Sequence, residues 1–354
     1  MNKKLAIILL NYKYYAKKYL VDCLESIRKQ DYLGEIKLYI VDNSSSEESF
    51  SFLREKAPEA VIIRNKKNDG FAKGNNDAMK KAMEDSCEYV VLFNMDTTVD
   101  SRAVSELVKM AESDNKIGAV QSRLMLFGED NLVNSLGNST HFLGFGFCQD
   151  YRSNYSKIKI EDGADIFYPS GAAVLFKKEV LQEVGLFDEK YWMYNEDQDL
   201  GWRIWLRGYK CVLSLNSVVY HKYEFSKSIS KYYFMDRNRI ITSLKNYKTI
   251  SLILLLPAFL LMELGLLFFS IFNGWFIKKI RVYLYFLNPF SWFYILRERR
   301  KIQKNRKIND SELLKIISGK ISYQEVDSIF LKLGNFFLSV YFIFFKFLLK
   351  VFKI

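Results

Sequence analysis

Three carboxylates fall within four positions at Glu196, Asp197 and Asp199, followed by Leu200, Gly201, Trp202 and Arg203. Crowded carboxylates repel one another, which raises a pKa and keeps one of them useful as a proton acceptor near neutral pH. The same acids stand just ahead of a helix-like run ending near Arg207, where negative charge also suits a helix N-terminus. On residue type alone both readings stay open. Asp96 and His221 form a second candidate group. His221, one of only two histidines, follows the apolar run Val218, Val219 and Tyr220, so it stands at the end of a strand. A carboxylate and an imidazole suit a divalent ion that bridges two phosphates and offsets charge on a leaving diphosphate. A single histidine at a strand end is also a common structural residue.

These groups need a scaffold, and the first 246 residues supply the pattern of one. Short apolar runs at Leu5 to Leu10, Ile36 to Val41, Ala60 to Ile63 and Tyr89 to Phe93 alternate with amphipathic stretches such as Leu20, Leu24 and Ile27. That alternation predicts an α/β fold with a doubly wound, mostly parallel sheet of the Rossmann-like kind. Ligands of such sheets bind beyond the carboxyl ends of the strands, and here those ends carry Asn11-Tyr12, Asp42-Asn43, Asn68-Asp69-Gly70 and Asn94-Met95-Asp96. Asn and Asp are ordinary turn formers one at a time; four such ends on one rim point to a site. Asn68 through Asn76 reads as a Gly-containing turn into a helix whose amides could face a phosphate, without the ending of a P-loop. Small residues at Ser170-Gly171-Ala172-Ala173 would let a ligand approach the backbone. The irregular text from Asn115 to Asp165 is expected to be loops and short antiparallel strands that shape substrate specificity.

After Asn246 the composition changes. Ile250 to Phe272 is almost wholly apolar, the length of one membrane crossing. Val282 to Leu296 is shorter and broken at Asn288-Pro289, which suits a re-entrant or interfacial segment. Phe330 to Ile354 carries Lys346, Lys350 and Lys353 on one helical face, so an in-plane helix and a span both fit. The net charge of +12 concentrates here, with ten Lys and Arg against two acids between Gly274 and Asp310, which favours an anionic membrane surface over nucleic acid. Two domains are therefore expected: 1–246 as the catalytic domain and 247–354 as a hydrophobic, basic, membrane-associated helical region. The four isolated cysteines form no zinc pattern and read as thiols of a reducing compartment. Leu5 to Leu10 is too soon followed by Asn11, Lys13, Lys17 and Lys18 to be a secretion signal.

Taken in order, Asn11-Tyr12, Val41 to Ser45, Asn68 to Asn76, Asn94 to Asp96, Ser170-Gly171-Ala172, Phe187-Asp188, Glu196 to Asp199 and His221 through Ser226 resemble the family 2 glycosyltransferases with a GT-A fold, in particular their rhamnosyltransferase-like branch. The resemblance covers Leu5 to Arg239. It implies that Asp42 contacts the nucleoside base with Asn11 and Tyr12 lining that pocket, beside Asn43. Asn68, Gly70, Gly74 and Asn76 would hold the loop next to the nucleotide. Asp96 would bind a divalent ion, Mg2+ or Mn2+, on the donor diphosphate, completed by His221. Asp197 would be the catalytic base, with Glu196 and Asp199 as competitors, and Arg203 would assist at the acceptor or phosphate side. Asn94 replaces an acid found in many relatives, and the QxxRW pattern of processive synthases is missing because Gly201 takes the Arg position.

The resulting expectation is an inverting, single-addition transferase. Asp197 takes a proton from an acceptor hydroxyl, the oxygen attacks the anomeric carbon, and the nucleoside diphosphate leaves. The donor is a nucleotide sugar; the acceptor, inferred from the apolar tail, is a lipid-linked saccharide or other membrane glycan at the cytoplasmic face of the cell membrane. Two rivals are a membrane-bound sugar-nucleotide-binding protein without turnover and a sugar nucleotidyltransferase. The retention of Asp96, Asp197 and His221 together weighs against the first. The second would want a Gly-rich, basic loop after the first strand, where this chain has Asn11-Tyr12-Lys13-Tyr14.

Overall fold

The computed structural model describes residues 3–129, 131–223, 232–322 and 329–352. The first half runs β1 (Leu5–Asn11), α1 (Tyr15–Arg28), β2 (Ile36–Asn43), α2 (Glu47–Lys56), β3 (Val61–Asn65), α3 (Gly70–Glu84), β4 (Tyr89–Phe93), β5 (Thr97–Val99) and α4 (Ala103–Glu112). Then come β6 (Ile117–Leu126), β7 (Val133–Ser135), β8 (Asn138–Thr140), β9 (Gly146–Cys148), β10 (Ala173–Lys177), α5 (Lys178–Val184), α6 (Glu196–Leu206) and β11 (Lys210–His221). The helical remainder is α7 (Tyr232–Asn246), α8 (Thr249–Phe272), α9 (Phe276–Leu287), α10 (Pro289–Asn305), α11 (Asp310–Leu313) and α12 (Ile329–Val351).

The main sheet has the order β3-β2-β1-β4-β10-β6-β11-β5, with β7 paired to β6. Its first four strands are parallel. They read as near-continuous apolar runs because both faces are buried: Leu5, Ala6, Ile7, Ile8 and Leu9 are all inaccessible. β10 then enters antiparallel between β4 and β6, and β5 caps the far edge antiparallel to β11. The sheet is thus mixed but mostly parallel, as expected, with only β10, β5 and β7 running against the other six strands, a GT-A-like α/β arrangement. The region from Asn115 is also more ordered than its composition predicts. Ile117–Leu126 is a ten-residue interior strand parallel to β11, and only the stretch behind it breaks into the short strands expected. Its polar letters mislead because Gln121 and Ser122 are buried and satisfied inside the sheet: Gln121 Oε1 accepts from the Ser170 amide at 2.7 Å and Ser122 bonds Ser217 at 2.8 Å.

Contacts divide the chain into two compact units. The first comprises 1–138, 148–204 and 209–223; the second comprises 139–147, 205–208 and 224–354. α7 goes with the second, whereas composition placed the boundary after Asn246. The reason is its packing, since α7 lies against α9 and α10 and spends Asp236 and Arg239 on partners there. Among the described residues, two helices are long and apolar enough to cross a membrane by length and composition, Thr249–Phe272 and the Gly334–Val351 part of α12. The break read at Asn288-Pro289 separates α9 from α10: the Asn288 side chain accepts from the Phe290 amide, and proline takes a first-turn position where no amide is needed. Glu224, Phe225, Ser226, Lys353 and Ile354, which the sequence reading used, lie outside the described residues.

Candidate active site

Parallel register aligns the polar strand ends. Asn11 pairs with Asp42, and Asn43 with Asn65. Asn11 is fully buried, donates to Asp42 Oδ1 at 2.9 Å and accepts from the Ala16 amide, so it ties the start of α1 to β2. Asp42 Oδ2 has no hydrogen-bond partner although the side chain is buried; Arg64 Nε stands 3.7 Å away. A buried acceptor left in that state is costly unless a ligand brings a donor. Tyr12 is exposed beside it.

Asn43 is the clasp of the next loop. It donates to Asn68 Oδ1 and the Gly70 carbonyl, both at 3.0 Å, and accepts from the Asp69 amide. Gly70 has φ +81°, and a Cβ there would sit 2.3 Å from the Trp192 carbonyl. Gly74 permits a close approach of α3 to β1, since a Cβ would meet Leu10 Cδ1 at 2.7 Å. Asn76 is engaged with the backbone of the loop after α5. It grips the Phe187 backbone at both its N–H and C=O, at 3.1 and 2.8 Å, and so braces the loop leading to α6.

Asp96 and His221, far apart in sequence, meet through the edge strand. β11 places His221 opposite Thr97, the residue after Asp96, and His221 Nε2 lies 3.3 Å from Asp96 Oδ1. The tyrosine hydroxyl of Tyr15 donates to Asp96 Oδ2 at 2.5 Å, and Asn134 Oδ1 lies 2.9 Å from His221 Nδ1. A divalent ion would displace the proton between His221 Nε2 and Asp96 Oδ1, while Asn134 at Nδ1 fixes the ring, the way an outer partner orients a metal-ligating imidazole. Burial pushes the Asp96 pKa up, but His221 and Tyr15 outweigh it, so the carboxyl titrates below its usual value. Asp96 Oδ1 is buried without a hydrogen-bond partner. One carboxylate oxygen and one imidazole nitrogen fit a divalent ion whose remaining positions go to phosphate oxygens and water; no group of three or more His, Cys, Asp or Glu side chains offers a complete protein cage among the described residues. Asn94 sits two residues before, its amide bonded to the Ala172 carbonyl.

That bond leads to the acidic cluster. The Gly171 amide approaches Asp197 Oδ2 at 3.4 Å, and the Gln198 amide donates to Asp197 Oδ1 at 2.8 Å. The three acids have different environments. Asp199 is inaccessible and paired to Arg203 Nε at 2.9 Å. Glu196 is buried with Oε2 unpartnered; burial, and then the charge of Asp197, push its pKa well up. Asp197 is the half-buried one, and burial raises its pKa to about 6 against the amides that pull it down. Asp197 therefore ionises before Glu196, which is pushed higher, a division between neighbouring acids. Immediately before them Trp192, Tyr194 and Asn195 all have positive φ. Trp192, with φ 63° and ψ −57°, centres a tight turn in which the Met193 amide bonds the Tyr191 carbonyl at 2.7 Å, a rare and strained form.

Arg203 has a different task from the one the resemblance implied. Besides Asp199, its guanidinium donates to the Leu186 carbonyl at 2.8 Å and the Gly185 carbonyl at 3.3 Å. It holds the loop after α5. Replacing it by alanine leaves Asp199 buried and uncompensated, so Arg203→Ala should lose about 3–5 kcal/mol of stability. Denaturant unfolding would measure this loss, and donor affinity of the folded fraction should be unchanged. Gly201 also has a structural reason: a Cβ there would lie 2.4 Å from Tyr168 Cβ, so α6 has no room for the arginine of processive synthases. Tyr15, Arg64, Asn134 and Trp192 were not foreseen, although Tyr15 lies one turn beyond Asn11-Tyr12 and Trp192 between Phe187-Asp188 and Glu196.

The sheet order defines a GT-A-type fold with polar strand ends gathered along one rim. Residues 6–185 match the family described as glycosyl transferase family 2, and the chain belongs to that family. No curated protein matches it by sequence. Among solved structures it is similar to GalNAc-T7 crystallised with UDP, GalNAc and Mn2+, at TM-score 0.52 and 13% identity over 68% of this chain and 47% of that one; the chain spans about half the length of that relative. It is also similar to S. aureus TarS 1–349, at TM-score 0.51 and 15% identity over 97% of this chain and 89% of that one. The same fragment in complex with UDP matches at TM-score 0.50 and 17% identity, over 92% and 97%. At these identities the likeness speaks for the fold.

Proposed function

We propose that the chain is an inverting glycosyltransferase of hexosyl or rhamnosyl type. It moves a sugar from a nucleotide-sugar donor to a lipid-linked saccharide or other membrane glycan at the cytoplasmic face of the cell membrane. The observation that carries this reading is the pair of neighbouring acids at the start of α6, with Asp197 half-buried and raised to about 6 beside the buried Glu196, which is pushed higher. Asp197 accepts the acceptor's hydroxyl proton as its oxygen bonds the anomeric carbon, and the bond to the diphosphate breaks with its electron pair leaving on the phosphate oxygen. The unpartnered Asp42 Oδ2 accepts from an N–H of the base, and Asn43 holds the loop at Asn68–Gly70 beside it. Asp96 and His221 would hold a divalent ion, Mg2+ or Mn2+, which when bound neutralises charge on the departing diphosphate. GalNAc-T7 was crystallised with Mn2+ and UDP, a reason to begin a ligand screen with that pair.

Two tests follow. A donor that binds the folded state raises the melting temperature by mass action, so a screen of nucleotide sugars should find one whose shift grows with Mn2+. No shift with any donor at millimolar concentration contradicts the proposal. Turnover should also rise with pH around a midpoint of about 6, because only ionised Asp197 takes the proton; a flat profile between pH 5 and 8 at saturating donor would reject Asp197 as the base.

A further inference from the structure

α8 has two unlike sides. Outwards it exposes Ile253, Leu256, Leu260, Leu264, Phe268 and Phe272, at the three- and four-residue spacing of one helix face. Phe290 and Phe293 at the start of α10, and Phe344 and Phe347 on α12, are exposed too. Inwards, Glu263 of α8 meets Arg239 of α7 and Lys279 of α9. Lys279 Nζ stands 2.7 Å from Glu263 and 2.6 Å from Asp236, and Arg239 is 2.7 Å from Asp236. The four charges close on one another and cancel. α7 also buries Asn238, Thr242, Ser243, Lys245 and Asn246. α7 packs on α9 and α10, and side chains tie it to α8 at three levels, the middle one being Arg239 on Glu263. The Tyr232 ring lies 3.7 Å from that of Trp275 just past the end of α8, while Arg299 bonds both the Tyr247 carbonyl and Thr249 at its start.

At 24 residues α8 is about 36 Å long, enough to cross the hydrocarbon core. Crossing would carry α7, with its row of polar side chains, to the same depth, and polar and ionisable groups there are expensive. Lying in the plane of one leaflet avoids this: the broad exposed apolar surface of α8 enters the acyl region while α7 and the charge cluster stay on the water side. Lys279 is spent in that cluster and Arg306 on Asp310, but Arg281, Arg297, Arg300, Lys301, Lys304 and Lys307 are exposed and supply attraction to anionic headgroups. We infer that the second unit is a one-leaflet anchor for an anionic bilayer, with α8, the start of α10 and α12 lying in the interface and both ends of α8 on the same side. This rests on the membrane reading above and specifies how the membrane is held.

The test uses the full chain with a single cysteine introduced at either end of α8, Thr249→Cys or Asn273→Cys, in sealed inside-out and right-side-out vesicles. An impermeant maleimide should label both variants, above the unsubstituted background, in inside-out vesicles and neither in right-side-out ones. Labelling of the two positions from opposite sides overturns the one-leaflet anchor and leaves membrane association intact. Recovery of both variants entirely in the soluble fraction at low salt overturns the membrane reading itself.

Discussion

Asp197→Asn should abolish transfer and make the protein more stable. The substitution removes the proton acceptor with almost no change of shape, so turnover should fall by about 10²–10⁴-fold while donor affinity stays within a few-fold. The stability change has a definite sign. The folded pKa of Asp197, about 6, lies above the roughly 3.9 of an unfolded aspartate. Stability is therefore complete below the unfolded value and is lost as pH rises through 6. Asparagine escapes that loss, so the variant should gain on the order of 1–2 kcal/mol at pH 8 and nothing at pH 4. If the acids only complemented the helix N-terminus, the same variant would lose about 1 kcal/mol and keep its chemistry. Thermal melts at the two pH values, with turnover at saturating donor, separate these outcomes. Asp199→Asn is the control, since its carboxylate is committed to Arg203 and its loss should appear in stability first.

The second large effect is expected at Asp96. Its Oδ1 is the one buried carboxylate oxygen facing His221 Nε2, so Asp96→Ala should cost about 10²–10³-fold in turnover and abolish the Mn2+-dependent part of the donor's thermal shift. Asn134→Ala tests the support behind it. Freeing His221 Nδ1 should weaken metal affinity by about 10–100-fold without touching the carboxylate. Full activity of Asp96→Ala, or full activity of the native chain in excess chelator, rules out the metal assignment.

How legible was this site? The strand ends were, because a parallel strand buried on both faces reads as an unbroken apolar run and its polar terminus stands out against it. Asp42, Asn43 and Asp96 came from that contrast. The central strand Ile117–Leu126 was hidden by Gln121 and Ser122, whose hydrogen bonds inside the sheet cannot be read from letters. The roles of Asn76 and Arg203 were hidden for the same reason: a side chain that grips a distant backbone looks like one aimed at a ligand. The resemblance singled out Asp197 among Glu196, Asp197 and Asp199, and their unequal burial, with Asp199 paired to Arg203, is what letters could not show. The meeting of Asp96 with His221 depended on β5, a three-residue edge strand with no sequence signature of its own.

The central claim is that this rim breaks a nucleotide-sugar bond and passes the sugar to an acceptor. The most direct measurement is product analysis after incubating the full-length protein and membranes with the donor selected by thermal shift and Mn2+. The account predicts free nucleoside diphosphate in step with sugar incorporated into lipid-extractable or membrane-bound glycan, and none of either with Asp197→Asn. Pyrophosphate as the product would mean nucleotidyl transfer, and a donor that binds but is never consumed would mean a binding protein; either result contradicts the account.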